Sequence, residues 1–203
     1  MSNTSFDAQE DLGIANQMMA RGRLAAALDG VHLISWGFII VCILSIQYFA
    51  EAKDWLPSSL LWLWQPFVFA ALGISLFLGK TSAARRWKIP ASRAYVAAFA
   101  SVGFSLALYA IISGINGRPD QYILVLLSSC TLGCAFFVTS VVTGMPALRF
   151  AAFGWWLTFG FFALRGELVL SDFFILCAAV SLFMIAPGIY LTHRRHQLAI
   201  EVS

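Results

Sequence analysis

Six long apolar stretches occupy most of this 203-residue chain. They lie roughly at 31–50, 59–79, 94–114, 121–143, 147–164 and 169–192. Each holds about 18 residues or more, enough for a helix rising about 1.5 Å per residue to cross a hydrocarbon core of about 30 Å. A segment inside lipid has to satisfy its own backbone hydrogen bonds, which only a helix or a closed barrel does. The sequence therefore predicts an all-α membrane protein, a bundle of six transmembrane helices.

Composition points to the same class of protein. Hydrophobic residues make up 60% of the chain and charged residues 11%, too few charges to cover a soluble domain of this apolar content. The lipid bilayer is thus the first predicted partner. The net charge of +3 is small, and no nucleic-acid partner is predicted from it.

If the predicted spans cross the membrane in turn, ten of the thirteen Lys and Arg residues fall on the same side of it. They are Arg21, Arg23, Lys80, Arg85, Arg86, Lys88, Arg93, Arg149, Arg194 and Arg195. The other side has Lys53, Arg118 and Arg165, and in its last loop Arg165 stands near the acidic Glu167. Because basic loops stay in the cytoplasm, the pattern predicts a protein of the cytoplasmic (inner) membrane with both termini inside.

This topology divides the chain into three parts. Residues 1–28 are predicted to form a cytoplasmic arm without the apolar core of a signal peptide. Residues 29–192 form the six-helix domain, and residues 193–203 form a short cytoplasmic tail. Pro187, followed by Gly188, is expected to kink the last helix near one end.

A stripe of small residues in the third predicted span is the candidate surface for helix packing. Lipid removes the hydrophobic drive between helices, so small residues that let backbones approach become the main packing device. The stripe consists of Ala100, Gly103, Ala107, Ala110 and Gly114.

The three histidines are the candidate metal ligands. Asp29 and His32 are three residues apart, as are His193 and His196, so each pair shares a helix face. If the first and last helices are neighbours, these side chains can converge on a transition metal or serve as axial ligands to a haem. The competing interpretation is that the residues around His193 form a positively charged flank at the membrane surface.

No catalytic residues and no cofactor are predicted. Motifs for phosphate binding, zinc hydrolysis or a nucleophilic serine are absent from the sequence, as is any Asp, Glu, Lys, Arg or His in the middle third of a span. Proton-driven transport needs such a residue. The Ser and Thr residues of the fourth span can still line a path for a neutral solute. Trp155 and Trp156 are expected to face lipid, with a quinone or lipid site as the alternative.

Three short motifs resemble those of a loose group of uncharacterised bacterial six-helix membrane proteins. They are Ser35-Trp36-Gly37, Leu132-Gly133-Cys134-Ala135-Phe136 and the turn Gly144-Met145-Pro146-Ala147-Leu148-Arg149-Phe150-Ala151. The resemblance implies the six-helix fold and no assigned activity.

The function predicted from these features is that of an accessory or regulatory membrane subunit without catalytic activity. Its basic second cytoplasmic loop, which holds Lys80, Arg85, Arg86 and Lys88, is predicted to meet anionic lipid or an acidic protein partner. Two other functions remain open. One is a small transporter or channel for a neutral or metal solute, and the other is a haem- or metal-binding membrane protein.

Overall fold

The computed structural model describes residues 30–53, 90–117 and 120–193, which form five helices and no strand. The helices are α1 Gly30–Ala52, α2 Pro90–Ile115, α3 Gln121–Thr143, α4 Pro146–Arg165 and α5 Asp172–His193. Each is long and apolar enough to cross a membrane. Five predicted spans are thus confirmed as apolar helices. The predicted span 59–79, the arm 1–28 and the tail after His193 lie outside the described residues.

Local signals in the sequence set the helix ends around α3 and α4. The Asp120 carboxylate accepts a hydrogen bond from the backbone N–H of Tyr122 at 2.9 Å and so caps the start of α3. Gly144 ends α3 and Gly166 ends α4, at φ values of 67° and 78° that glycine adopts without strain. Pro146 opens α4, where its missing N–H would have no helical partner.

The helices pack in the order α2, α3, α4, α5, α1. Aromatic side chains mark both outer pairs of this row. The rings of Phe99 in α2 and Phe136 in α3 lie 5.2 Å apart, and those of Tyr48 in α1 and Phe174 in α5 lie 4.8 Å apart. The first and last described helices are therefore neighbours, although they are farthest apart in the chain.

The helix directions constrain the rest of the chain. Helices α2 to α5 alternate in direction, and α1 is antiparallel to α5, because Gly30 lies beside Thr192 and Tyr48 beside Phe174. It follows that α1 and α2 run the same way. We call the end of the bundle where α1 begins the His32 end, and the opposite end the Arg165 end. Ala52 therefore lies at the Arg165 end and Pro90 at the His32 end.

Large apolar side chains fill the centre of the row. The most completely buried include Leu33, Phe136, Leu148, Phe162 and Leu191, each at 1% exposure or less. They come from α1, α3, α4 and α5, and most belong to one continuous cluster. The residues facing outward are largely apolar too, which is the surface that lipid requires.

A π-helical turn interrupts α5 at Ser181–Ile185. The backbone N–H of Ala186 donates to the carbonyl of Ser181, one residue farther back than in an α-helix. The irregularity predicted at Pro187 thus takes the form of a wider turn just before the proline.

Candidate functional site

The backbones of α1 and α5 approach closely at the His32 end. A Cβ atom on Gly30 would overlap the carbonyl oxygen of Gly188 and would lie 2.9 Å from the backbone nitrogen of Thr192. On the other side, a Cβ on Gly188 would lie 2.9 Å from the Gly30 carbonyl oxygen. The condition set by the metal-site prediction, that the first and last helices are neighbours, is therefore met.

The two described histidines stand close to this contact in the sequence. His32 lies two residues after Gly30, which places it about 200° around α1 from the contact face. Its ring instead meets Trp36, with 6.2 Å between ring centroids. His193 is exposed at the end of α5.

The metal site stays a prediction, because Asp29 and His196 lie outside the described residues. Within the described ranges, no group of three or more His, Cys, Asp or Glu side chains could hold a metal ion. The helices bring His32 and His193 to the same end of the bundle.

The small-residue stripe of α2 has no described neighbour at its glycines. Among the described residues, no heavy atom lies within 4 Å of the position that a Cβ would take on Gly103 or Gly114. Ala100 is exposed as well, and Ala107 and Ala110 are half-buried. The stripe's role in packing stays a prediction, as does that of the basic loop with Lys80, Arg85, Arg86 and Lys88, which lies outside the described residues.

An ion pair closes the loop between α4 and α5 at the Arg165 end. The Arg165 guanidinium donates to the Asp172 carboxylate at 2.6 Å, and the backbone N–H of Val169 donates to the other carboxylate oxygen at 2.8 Å. Asp172 has no exposed surface. The sequence drew attention to Glu167 in this loop, but the acid that Arg165 contacts is Asp172, seven residues away.

The hydroxyl groups of α3 are bonded mainly to the helix itself. Ser128, Thr131, Thr139 and Thr143 each donate to a carbonyl three or four residues earlier, at 2.7–3.0 Å. The hydroxyl hydrogens of these side chains are thus bonded to carbonyls of their own helix, as is usual for hydroxyl groups inside a helix. The hypothesis that α3 lines a path for a neutral solute stays a prediction.

A groove of about 460 Å³ lies between α2 and α3 near the Arg165 end, lined in part by Tyr109, Ser113 and Asn116. Its hydroxyl groups are already used. Tyr109 donates to the Asp120 carbonyl at 2.8 Å, and Ser113 donates to the Ala110 carbonyl at 3.2 Å.

The expectation that Trp155 and Trp156 face lipid is wrong for Trp155, which is 3% exposed. Trp156 is half-buried, and its indole lies where a Cβ on Gly133 would be. Glycine at position 133 thus makes room for this ring. The sequence signal for this contact was the glycine in α3, which is only interpretable once α4 is known to lie beside it.

Two buried polar side-chain atoms of α3 and α4 have no hydrogen-bond partner among the described residues. They are the Ser129 hydroxyl oxygen in α3 and the Trp155 indole nitrogen in α4. The exposed fractions of these residues are 0% and 3%. A buried polar group without a partner costs about 1–3 kcal/mol, so each calls for an explanation.

Comparison of the chain with protein-family models, with curated proteins and with solved structures gave no significant match. The resemblance to uncharacterised six-helix membrane proteins therefore stays a prediction, and the function has to be argued from the residues themselves.

Proposed function

We propose that this chain is a six-span protein of the cytoplasmic membrane, with both termini in the cytoplasm, that acts as an accessory or regulatory subunit and not as an enzyme. The directions of the described helices support the sixth span. Residues 53–89 have to return from the Arg165 end to the His32 end, and the apolar stretch 59–79 is long enough to cross the bilayer.

The orientation rests on the distribution of charge. Arg149, Gly30, Pro90 and His193 lie at the His32 end, and in the sequence most of the other Lys and Arg residues stand close to Gly30, Pro90 or His193. Lys53 and Arg165 lie at the other end. The positive-inside rule then assigns the His32 end to the cytoplasm.

The observation that carries the accessory role is the closed, apolar interior of α3, α4 and α5. Phe136, Leu148 and Phe162 have no exposed surface, and most α3 hydroxyls are bonded to their own helix. A transporter needs a path through its helices, and an enzyme needs an accessible cluster of reactive groups. An interior of this kind supports a role exercised at the outer surface of the bundle.

Helix α2 is the surface best suited to a membrane partner. Its window of highest hydropathy is only 11% buried, against 33–39% for the other four helices. It also carries the small-residue stripe from Ala100 to Gly114, and small residues let another helix approach closely in lipid. Together with the basic loop before it, α2 would present both a membrane-embedded and a cytoplasmic contact to the partner.

Purification of the tagged full chain from its native membranes in mild detergent tests the proposal. We expect a partner in stoichiometric amount that is lost from the Gly103→Leu variant. The matched control is Gly160→Leu in α4, since Gly160 also has no described atom within 4 Å of its Cβ position. Equal loss in both variants, or solute flux by the isolated protein in liposomes, would contradict the accessory role.

Metal or haem binding is the second candidate, and the neighbouring positions of α1 and α5 favour it. His32 and His193 come to the same end of the bundle because Gly30 packs on Gly188. The purified chain would then show stoichiometric metal or a Soret absorption band, and both signals would fall in His32→Ala. Protein without metal or haem after purification from metal-replete cells would reject this candidate.

A further inference from the structure

The midpoints of α4 and α5 meet at an unusual combination of residues. Trp155 lies near the middle of Pro146–Arg165, and the π turn Ser181–Ile185 lies near the middle of Asp172–His193. The ring centroids of Trp155 and Phe183 are 6.5 Å apart. Gly154 makes this approach possible, because the Phe183 ring occupies the space that a Cβ on residue 154 would need.

On the α4 side of this contact, one buried hydrogen-bond donor has no acceptor in the described part of the chain. The Trp155 indole N–H is buried and has no acceptor among the described residues. Thr158, one turn along the same buried face, does not need one, since its hydroxyl donates to the Gly154 carbonyl at 2.9 Å. At the centre of a bilayer no lipid headgroup or bulk water can supply the missing acceptor.

On the α5 side of the contact, two backbone carbonyl groups lose their regular α-helical donors. In an α-helix the N–H of Ala186 would bond to the Leu182 carbonyl, but here it donates to Ser181. In an α-helix the backbone N–H of residue 187 would donate a hydrogen bond to the Phe183 carbonyl, but Pro187 has no N–H. The π turn and the proline together therefore remove the regular backbone donors of two successive carbonyl groups, Leu182 and Phe183.

We propose that Trp155 and the π turn of α5 bind a small uncharged ligand that accepts a hydrogen bond from the indole and donates one to a carbonyl of the turn. Water is the smallest molecule of this class. Such a ligand pairs the buried indole donor, which has no acceptor among the residues described, with a carbonyl that has lost its regular helical donor, in a low-dielectric interior where an unpaired polar group is costly. The site is separate from the surfaces that the accessory role uses.

Nuclear magnetic resonance of the ¹⁵N-labelled full chain in deuterated detergent tests for the ligand directly. The indole signal of Trp155 is assigned by its loss in Trp155→Phe. We expect a rotating-frame Overhauser contact from this indole proton to water, or to a proton of a co-purified small molecule of the same class. An indole proton that shows neither contact overturns the proposal.

A double-mutant cycle tests whether the two sides share the ligand. Trp155→Phe removes the donor, and Pro187→Ala restores a backbone N–H beside the π turn. We expect the two effects on the unfolding equilibrium constant to depart from simple multiplication by about threefold or more. The control pairs Trp155→Phe with Pro146→Ala, at the first position of α4, and should be multiplicative. Multiplicative effects in the first pair as well would overturn the proposal.

Discussion

The Arg165 guanidinium and the Asp172 carboxylate meet at 2.6 Å across the loop that joins α4 to α5. The arginine remains 35% exposed while the aspartate is fully covered. The aspartate also accepts the backbone N–H of Val169, so that both of its oxygens are bonded. The pair thereby holds the end of α4 against the start of α5, which fixes the antiparallel hairpin that carries Trp155 and the π turn.

The first prediction concerns this ion pair. Asp172→Asn keeps the shape of the side chain but removes the charge that Arg165 contacts. We expect the free energy of unfolding to fall by about 1–3 kcal/mol, a range reduced from that of a fully buried pair because the arginine is partly screened by solvent. Unfolding of the purified protein in mixed micelles, followed by tryptophan fluorescence, measures the change.

Glu167 provides the control for this measurement. It is an exposed acid in the same loop, so Glu167→Gln should change the free energy of unfolding by about 0.5 kcal/mol or less. A larger effect for Glu167→Gln than for Asp172→Asn would show that the loop acid nearest in sequence is the partner of Arg165.

The second prediction concerns the contact of α1 with α5 at the His32 end. Gly30→Ala introduces a Cβ where the Gly188 carbonyl and the backbone of Thr192 lie, and backbone cannot move aside as a side chain can. We expect a loss of about 1–3 kcal/mol in the free energy of unfolding. The matched variant Gly103→Ala adds the same atom to α2 without a described neighbour and should be neutral or slightly stabilising. Indistinguishable losses in the two variants would mean that Gly30 does not lie at a close helix contact.

The third prediction tests the order of the helices in the row. In a background with the four native cysteines replaced, Tyr48→Cys and Phe174→Cys should be joined by a short bifunctional thiol cross-linker, because the side chains at these positions face each other, with ring centroids 4.8 Å apart. Tyr48→Cys combined with Phe104→Cys in α2 should not. Cross-linking is read from mobility on a denaturing gel, and efficient cross-linking of the second pair alone would reject the order α5–α1.

The fourth prediction tests the directions of the helices across the membrane. Single cysteines placed at Lys53 and Glu167 should react with a membrane-impermeant thiol reagent added to intact cells. Single cysteines at Gly144 and His193 should react only after the cells are opened. A reversed pattern would contradict the assignment of the His32 end to the cytoplasm, and a mixed pattern would contradict the helix directions themselves.

The sequence was a sufficient guide to the helices, because their ends depend on local chemistry. The predicted bounds of 121–143 for α3 coincide with Gln121–Thr143, where Asp120 caps the start and Gly144 ends the helix. Contacts between helices were harder to predict from the sequence. The pairing of Arg165 with Asp172 depends on how the chain turns between α4 and α5, and Glu167 is the closer acid in the sequence.

The interior was predicted least well, for a physical reason. In a membrane protein the outer surface is as apolar as the core, so hydropathy does not tell which face of a helix is buried. Trp155 was expected to face lipid for this reason, although it lies in the core. The π turn was missed because a proline indicates an interruption in a helix without specifying its form.

The order of the row also has a consequence for biosynthesis. Among the described helices α1 is synthesised before the others, yet it packs chiefly on α5, which is synthesised after them. Helix α1 therefore lies in the membrane without α5, the described helix on which it packs most, until α5 has been synthesised. Quality-control proteases that read unassembled membrane segments would meet the nascent chain with this helix still unprotected, so premature termination anywhere before α5 should lead to rapid degradation.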